Sequence, residues 1–328
     1  MDKEYTPDKL PAIIKEIKKQ KGKYNCVIGV SGGCDSSYLL HLAVKEWGLR
    51  PLAVNVDNNW DTKIAKSNLK KVTSKLGVDV ISYVTDEAEF NDIARTFIQA
   101  SIPEVDGHSD LALAHFWHKA CKDNGIKYFL IGHSFRTEGM FPIGWFYFDG
   151  RYIQDVYGKP FKTFPNLTFW KFIRNLFDGV KQIRPIWYLD YDKAKVKKFL
   201  EKEYGWEWYG GHHYENKYTR FHHWYNQVKF GIDQRVVEYS AMIRAGLISK
   251  AEAVKEIEKP NKLPKEIYKE LKQRLGLTDE DFEEIMYAFP KSHRDFKTYK
   301  PYFKLLKPFF WVMLKLKRIP YSFYKKYC

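Results

Sequence analysis

Apolar residues in the first 135 positions fall into short continuous runs separated by amphipathic stretches. Cys26-Val27-Ile28-Gly29-Val30, Pro51-Leu52-Ala53-Val54-Asn55-Val56, residues 78–84 and Lys127-Tyr128-Phe129-Leu130-Ile131-Gly132 read as buried strands, too short for helices. Between them the period becomes helical, over residues 35–47, 61–76, 86–100 and 110–123. An amphipathic helix over 6–20 precedes them, with Leu10, Ile13, Ile14 and Ile17 on one side. Asp61 and Ser109 are placed to cap two of these helices, and Gly77 and Gly125 to end two. This alternation predicts an α/β fold: a doubly wound parallel sheet covered on both faces, with ligands at the carboxyl ends of its strands.

After residue 135 the pattern changes. Residues 135–157 are aromatic and glycine-rich, suited to short strands or a lid, and residues 159–182 are basic and aromatic without a clear period. Helical patterns resume over 190–204 and 234–245. Ser249-Lys250-Ala251-Glu252 is a capping box, and Pro264 and Thr278 open two further helices. From Phe296 onward lysines alternate with Phe303, Leu305, Leu306, Phe309, Phe310, Trp311 and Leu314, with no acidic residue. Two readings of this tail stand: helices packed on the protein with lysines outward, or an interfacial segment on an anionic membrane. Pro301, Pro308 and Pro320 exclude one long helix.

Composition narrows the classes. The 328 residues suit one large or two modest domains, and a net charge of +15 implies an anionic partner: nucleotide, nucleic acid, acidic sugar or membrane surface. The four cysteines are scattered with no CxxC, so neither a disulfide framework nor a zinc site is legible. No run of 18 apolar residues occurs, and Met1-Asp2-Lys3-Glu4 lacks a signal-peptide core, which makes the cytoplasm the expected compartment.

The chemistry concentrates at Val30-Ser31-Gly32-Gly33-Cys34-Asp35-Ser36-Ser37, between the first strand and its helix. The glycines allow close backbone approach, and the N–H groups of a turn and a helix start favour a phosphate. Ser31, Ser36 and Ser37 add hydroxyls, and Asp35 points to a magnesium ion bridging protein and phosphate. The Walker and dinucleotide patterns are both absent. Asp57 at the end of the second strand is placed to contact adenosine, beside Val56, and Gly132-His133 ends the fourth strand with Glu138 as a second magnesium ligand. Arg136, Lys217, Arg220 and Lys229 are the candidate cations for a charged phosphorus centre and its leaving group. His212-His213 and His222-His223 read as substrate contacts or packing, because adjacent residues rarely face one ion.

Ser-Gly-Gly-Cys-Asp-Ser after a strand resembles the PP-loop of the ATP pyrophosphatase superfamily, which includes GMP synthetase, asparagine synthetase and the tRNA thiolases. The resemblance implies cleavage of ATP between its α and β phosphates, with ATP and Mg2+ held by the loop. It places adenine along Leu52–Asp57 and assigns residues 1–150 to the PP-loop domain, 151–290 to a mostly helical substrate region and 291–328 to a basic aromatic tail.

Val54-Asn55-Val56-Asp57-Asn58-Asn59-Trp60, Gly132-His133-Ser134-Phe135-Arg136-Thr137-Glu138-Gly139, the run Tyr209-Gly210-Gly211-His212-His213-Tyr214-Glu215-Asn216-Lys217-Tyr218-Thr219-Arg220-Phe221 and Lys229-Phe230-Gly231-Ile232-Asp233 are similar to the N-acetyl sugar amidotransferase family. That resemblance covers about residues 8–260. It implies conversion of the acetamido group of a nucleotide- or lipid-linked sugar to an acetamidino group for a surface glycan, by way of an O-adenylyl intermediate. Arg136, His212, His213, Tyr214 and Glu215 would contact substrate, and Asp35, Lys217, Arg220 and Lys229 would serve the chemistry. With no N-terminal nucleophilic cysteine, ammonia is expected from a separate glutaminase and a cyclase-like channel subunit. The alternative is a tRNA-modifying PP-loop enzyme, for which the charge and aromatic content are suited.

Overall fold

The computed structural model describes residues 5–328; residues 1–4, on which the signal-peptide and N-terminal cysteine readings fall, lie outside the described residues. Helix α1 (Leu10–Lys18) leads into β1 (Cys26–Gly29), the loop, and α2 (Cys34–His41). There follow β2 (Pro51–Asp57), α3 (Lys63–Leu76), β3 (Val80–Val84), α4 (Glu87–Gln99), α5 (Gly107–Asp123) and β4 (Tyr128–Leu130). The strands alternate with helices as the periodicity predicts. Four boundary details differ. The helix expected over 35–47 is α-helical only to His41 and then widens, with the Trp47 N–H donating to the Leu42 carbonyl five residues back. Thr62, not Asp61, caps α3, because its hydroxyl reaches the Ala65 N–H. Ser109 lies inside α5, whose N-cap is Asp106. The fourth strand is shorter than the run that announces it.

All pairings are parallel, in the order β3-β2-β1-β4-β5. The chain therefore reverses direction across the sheet between β1 and β4, and the crevice beyond their carboxyl ends is where such a sheet binds ligands. Successive residues of β1 serve opposite faces. Ile28 packs with Leu39, Ala43, Val196 and Leu200, while Val27 packs with Leu52, Val54, Ala120 and Phe129.

The sheet continues beyond residue 150. Helix α6 (Gly150–Tyr157) and α7 (Phe169–Asn175) precede β5 (Lys181–Ile183), which pairs with β4, and α8 (Lys193–Tyr204) packs on α2. The segment without a period around 162–164 is anchored by buried Glu89, whose carboxylate accepts the backbone N–H groups of Lys162, Thr163 and Phe164 at 2.6, 2.7 and 3.0 Å. Helices α9 (Lys217–Phe230), α10 (Gln234–Arg244), α11 (Lys250–Glu258), α12 (Lys265–Leu275) and α13 (Asp279–Tyr287) follow. Phe221, Tyr225, Leu271 and Phe282 close a second core against Trp60 and Phe90. Both halves of the Ser249–Glu252 capping box form.

The tail forms α14 (Lys300–Leu305), α15 (Lys307–Lys315) and α16 (Tyr321–Tyr327). Phe303, Phe310, Met313 and Ile319 are buried against Phe169 and Leu176. Leu305, Trp311 and Leu316 remain exposed on its outer side. Among the described residues, no helix is long and apolar enough to cross a membrane.

Candidate active site

The loop after β1 is held by its carbonyls. Asn55 donates to the Val30 carbonyl at 3.0 Å and Trp206 to the Gly32 carbonyl at 2.9 Å. Gly32 has φ of 77°, and a Cβ there would stand 2.1 Å from the Ala65 carbonyl oxygen, so no other residue fits this turn. The loop's N–H groups meet hydroxyls: Gly33 donates to Ser31 Oγ at 3.2 Å, Ser31 to Ser36 Oγ at 3.4 Å and Cys34 to the Tyr209 hydroxyl at 3.3 Å. Ser31 Oγ in turn donates to Glu215 Oε1 at 3.3 Å. A carboxylate thus rests on the cradle that suits a phosphate.

Asp35 opens α2 and faces inward. Its oxygens accept from the Tyr191 hydroxyl and, at 2.6 Å, from Lys193 Nζ. Only 14% of either charged side chain is exposed. Burial works against ionisation of Asp35, but the Lys193 ammonium holds it below the usual carboxylate range. Glu138 lies near. Burial and the Asp35 charge push it up to about 8. Burial drives His133 down to about 4; its Nδ1 accepts the Trp187 indole N–H at 3.0 Å, and its Nε2 stands 3.6 Å from Glu138.

These groups line one end of a cavity of about 800 Å³. Val30, Ser31, Gly33, Asp35, Ser36, Val56, Gly132, His133, Glu138, His212, His213 and Glu215, all singled out in the sequence, reach it. Gly132 has a further reason to be glycine: a Cβ would stand 2.9 Å from the backbone at Asp35 and Ser36, so its absence lets the end of β4 pack beneath the first turn of α2. The far wall comes from Phe141, Phe148 and the tail residues Phe323, Lys326 and Tyr327. Acidic groups gather there; burial pushes Glu104 up to about 7.

Other sequence candidates lie elsewhere. Asp57 closes the turn after β2, accepting the Asn59 N–H at 2.8 Å and pairing with Lys66 at 2.6 Å. Ser37 is buried beneath the loop, and Gly32 is turned away from the cavity against α3. Lys217 pairs with Glu270 at 2.6 Å. Lys229 caps α13 by donating to the carbonyls of Ile285, Met286 and Ala288. Arg136 pairs with Asp190 at 2.6 Å and donates to the Tyr191 and Ala245 carbonyls. Arg220 stacks on Tyr214, whose hydroxyl donates to Asn261. Lys217, Lys229 and Arg136 each meet a local acceptor and Arg220 a ring, and none of the four lines the cavity. The cation that does reach the loop is Lys193, and the tail supplies Lys326; neither carries a signal in the sequence beyond its helical pattern.

Residues 212–312 match the family model described as "LPS biosynthesis protein WbpG-like, C-terminal domain". The uncharacterized protein MJ1599 of Methanocaldococcus jannaschii is 29% identical over 272 residues, which span 80% of this chain and 82% of that protein. GMP synthase [glutamine-hydrolyzing] of Baumannia cicadellinicola is 37% identical over 91 residues, 26% of this chain and 16% of the synthase. The NMN synthetase of Francisella tularensis superposes with a TM-score of 0.42 at 12% identity, over 88% of this chain and 98% of the synthetase. The strand–loop–helix thus stands at the switch point of a parallel sheet, and residues 212–312 are similar to the C-terminal domain of WbpG-like LPS biosynthesis proteins.

Proposed function

We propose that this protein is an ATP-dependent, AMP-forming ligase that converts the acetamido group of an anionic N-acetyl sugar to an acetamidino group in glycan biosynthesis. The observation that carries the reading is one cavity joining the phosphate-cradling loop and Asp35 to an aromatic wall bearing Lys326. The match of residues 212–312 to a lipopolysaccharide biosynthesis family supports the sugar.

An amide carbon is a poor electrophile, so its oxygen must first be made a leaving group. The amide oxygen attacks the α-phosphorus of ATP. The O–P bond forms, the α–β bridging bond breaks and pyrophosphate leaves. Ammonia then adds at the imidate carbon, loses a proton, and AMP departs with the original oxygen. The loop N–H groups and the Ser31 and Ser36 hydroxyls hold the departing pyrophosphate in place of their present partners. Lys193 offers a fixed positive charge beside Asp35 for the charge that develops. Asp35 and Glu138 fit a magnesium ion: both are oxygen donors in a largely buried pocket, and burial together with the neighbouring Asp35 charge raises Glu138. When bound, that ion would supply positive charge to the phosphate oxygens. Lys326, with no ion-pair partner among the described residues, suits a sugar carboxylate or phosphate. Ammonia would come from a separate glutaminase through a cyclase-like subunit. The exposed Leu305, Trp311 and Leu316 beside the tail lysines suit an anionic membrane carrying a lipid-linked substrate.

The tRNA-thiolation alternative needs a reactive thiol. Burial pushes the Cys34 and Cys121 thiols up to about 12, which leaves them protonated.

The deciding assay follows AMP and pyrophosphate from ATP with Mg2+ and an ammonium salt, comparing a UDP-N-acetylated uronic sugar with bulk tRNA. Sugar-stimulated AMP release, with oxygen replaced by NH in the product, is expected, and Asp35→Asn should lower it by at least ~100-fold. Stimulation by tRNA alone would overturn the sugar reading.

A further inference from the structure

The rarity with which adjacent residues face one point is overcome at His212-His213 by the backbone. His213 has φ of 58°, in the left-handed region, and its ring turns alongside that of His212. The two ring centroids are 3.8 Å apart and the planes 24° from parallel. One nitrogen from each ring and one oxygen of Glu138 all lie within 4.8 Å of one another.

The distances within this group are those of co-ligands rather than hydrogen-bond partners. His212 Nε2 stands 3.9 Å from Glu138 Oε1, too far for a hydrogen bond. Two donors each ~2.1 Å from a tetrahedral ion are separated by roughly 3.4 Å, so a small inward shift closes the set. His212 Nε2 is also buried without a hydrogen-bond partner. A buried ring nitrogen left in this way costs free energy unless something else engages it. Its opposite nitrogen, Nδ1, lies 2.7 Å from Glu238 Oε1. A carboxylate on the far nitrogen of a histidine fixes the ring and directs the near nitrogen at a metal. His133 Nε2 stands 3.6 Å from the other oxygen of Glu138.

We propose that Glu138, His212 and His213 bind one borderline divalent cation of the Zn2+ class, with an open position facing the cavity. Two imidazoles and one carboxylate are the donors of a three-ligand zinc site. Magnesium takes oxygen donors and has little use for the two rings, so this ion differs from the one that accompanies ATP. The site needs neither ATP nor a sugar to form. It shares Glu138 with the magnesium site proposed above, so its occupancy is read in the absence of nucleotide.

The test uses the full-length protein, stripped with a chelator and titrated with Co2+ in the absence of nucleotide. One equivalent should bind, with the visible absorption bands of tetrahedral Co(II), and stoichiometric Zn2+ should displace it while millimolar Mg2+ should not. His212→Ala should abolish the bands, and Glu238→Gln should weaken Co2+ binding by ~10–100-fold. Circular dichroism identifies a misfolded variant, and His213→Asn then takes its place. Co2+ bands that persist in both histidine variants, displacement by Mg2+ at similar concentration, or no tetrahedral spectrum in the folded wild type would each overturn the site. The ATP assay described above fails or succeeds separately.

Discussion

Lys193 stands 158 residues from Asp35 in the chain, and the ion pair between them is the main charge feature at the loop. Lys193→Met would leave Asp35 largely buried without its counter-charge. An expected loss of about 3–5 kcal/mol should appear as a lowered thermal midpoint in chelator, and millimolar Mg2+ should restore part of it. Glu104 behaves in the opposite sense. It is 3% exposed and accepts from the Tyr147 N–H and the Tyr152 hydroxyl. Burial raises its pKa to about 7, so the unfolded chain gives up this proton first. Stability is therefore full below the unfolded pKa of ~4.5 and falls as pH rises towards 7, by up to about 3 kcal/mol. Glu104→Gln should flatten that fall in unfolding measured from pH 4.5 to 8. The placement of Asp35, Ser31, Ser36 and Glu138 at the cavity is legible in the sequence because it comes from a local turn and a strand end. It does not mark Lys193, or discount Lys217 and Lys229, because an ion pair is made by tertiary neighbours. In a chain of 55 lysines and arginines, residue type does not distinguish one that meets Glu270 from one that meets Asp35.

At the scale of elements, Lys229 illustrates how a cation that the sequence offers can be engaged by the fold. Its ammonium ties the end of α9 to the last carbonyls of α13. Lys229→Met should lower stability by about 1–3 kcal/mol, the cost of leaving these carbonyls unsatisfied, and leave the rate of AMP formation within twofold of wild type. A large loss of rate at unchanged stability would return it to the chemistry. The long periodic elements, β1 to α5 and α10 to α13, are legible because each buries one face over several turns or a full strand. Strand β5 is not, since three residues carry no measurable alternation and its identity rests on pairing with β4. The tail is legible as helices broken by prolines. That α16 returns to wall the cavity is not, because Tyr327 finds its partner, the Phe148 carbonyl, 179 residues away.

The whole molecule joins its parts through the sheet. The sheet is completed by β5 and covered by α8, both well past residue 150. A fragment of residues 1–150 should therefore expose the edge of β4 and the apolar face of α2, and be recovered as aggregate or as a species binding hydrophobic dyes; a soluble fragment with cooperative unfolding would show that the first half folds alone. The same layout has a consequence for synthesis. Between Leu130 and Ile183 lie roughly fifty residues, and at ~5–20 residues per second a ribosome takes ~3–10 s to make them. For that interval the nascent chain carries an open β4 edge, and its loop still lacks Lys193, Trp206 and Tyr209. The speed of translation through residues 131–183, and any chaperone that shields the edge meanwhile, should then govern how much active protein a cell accumulates.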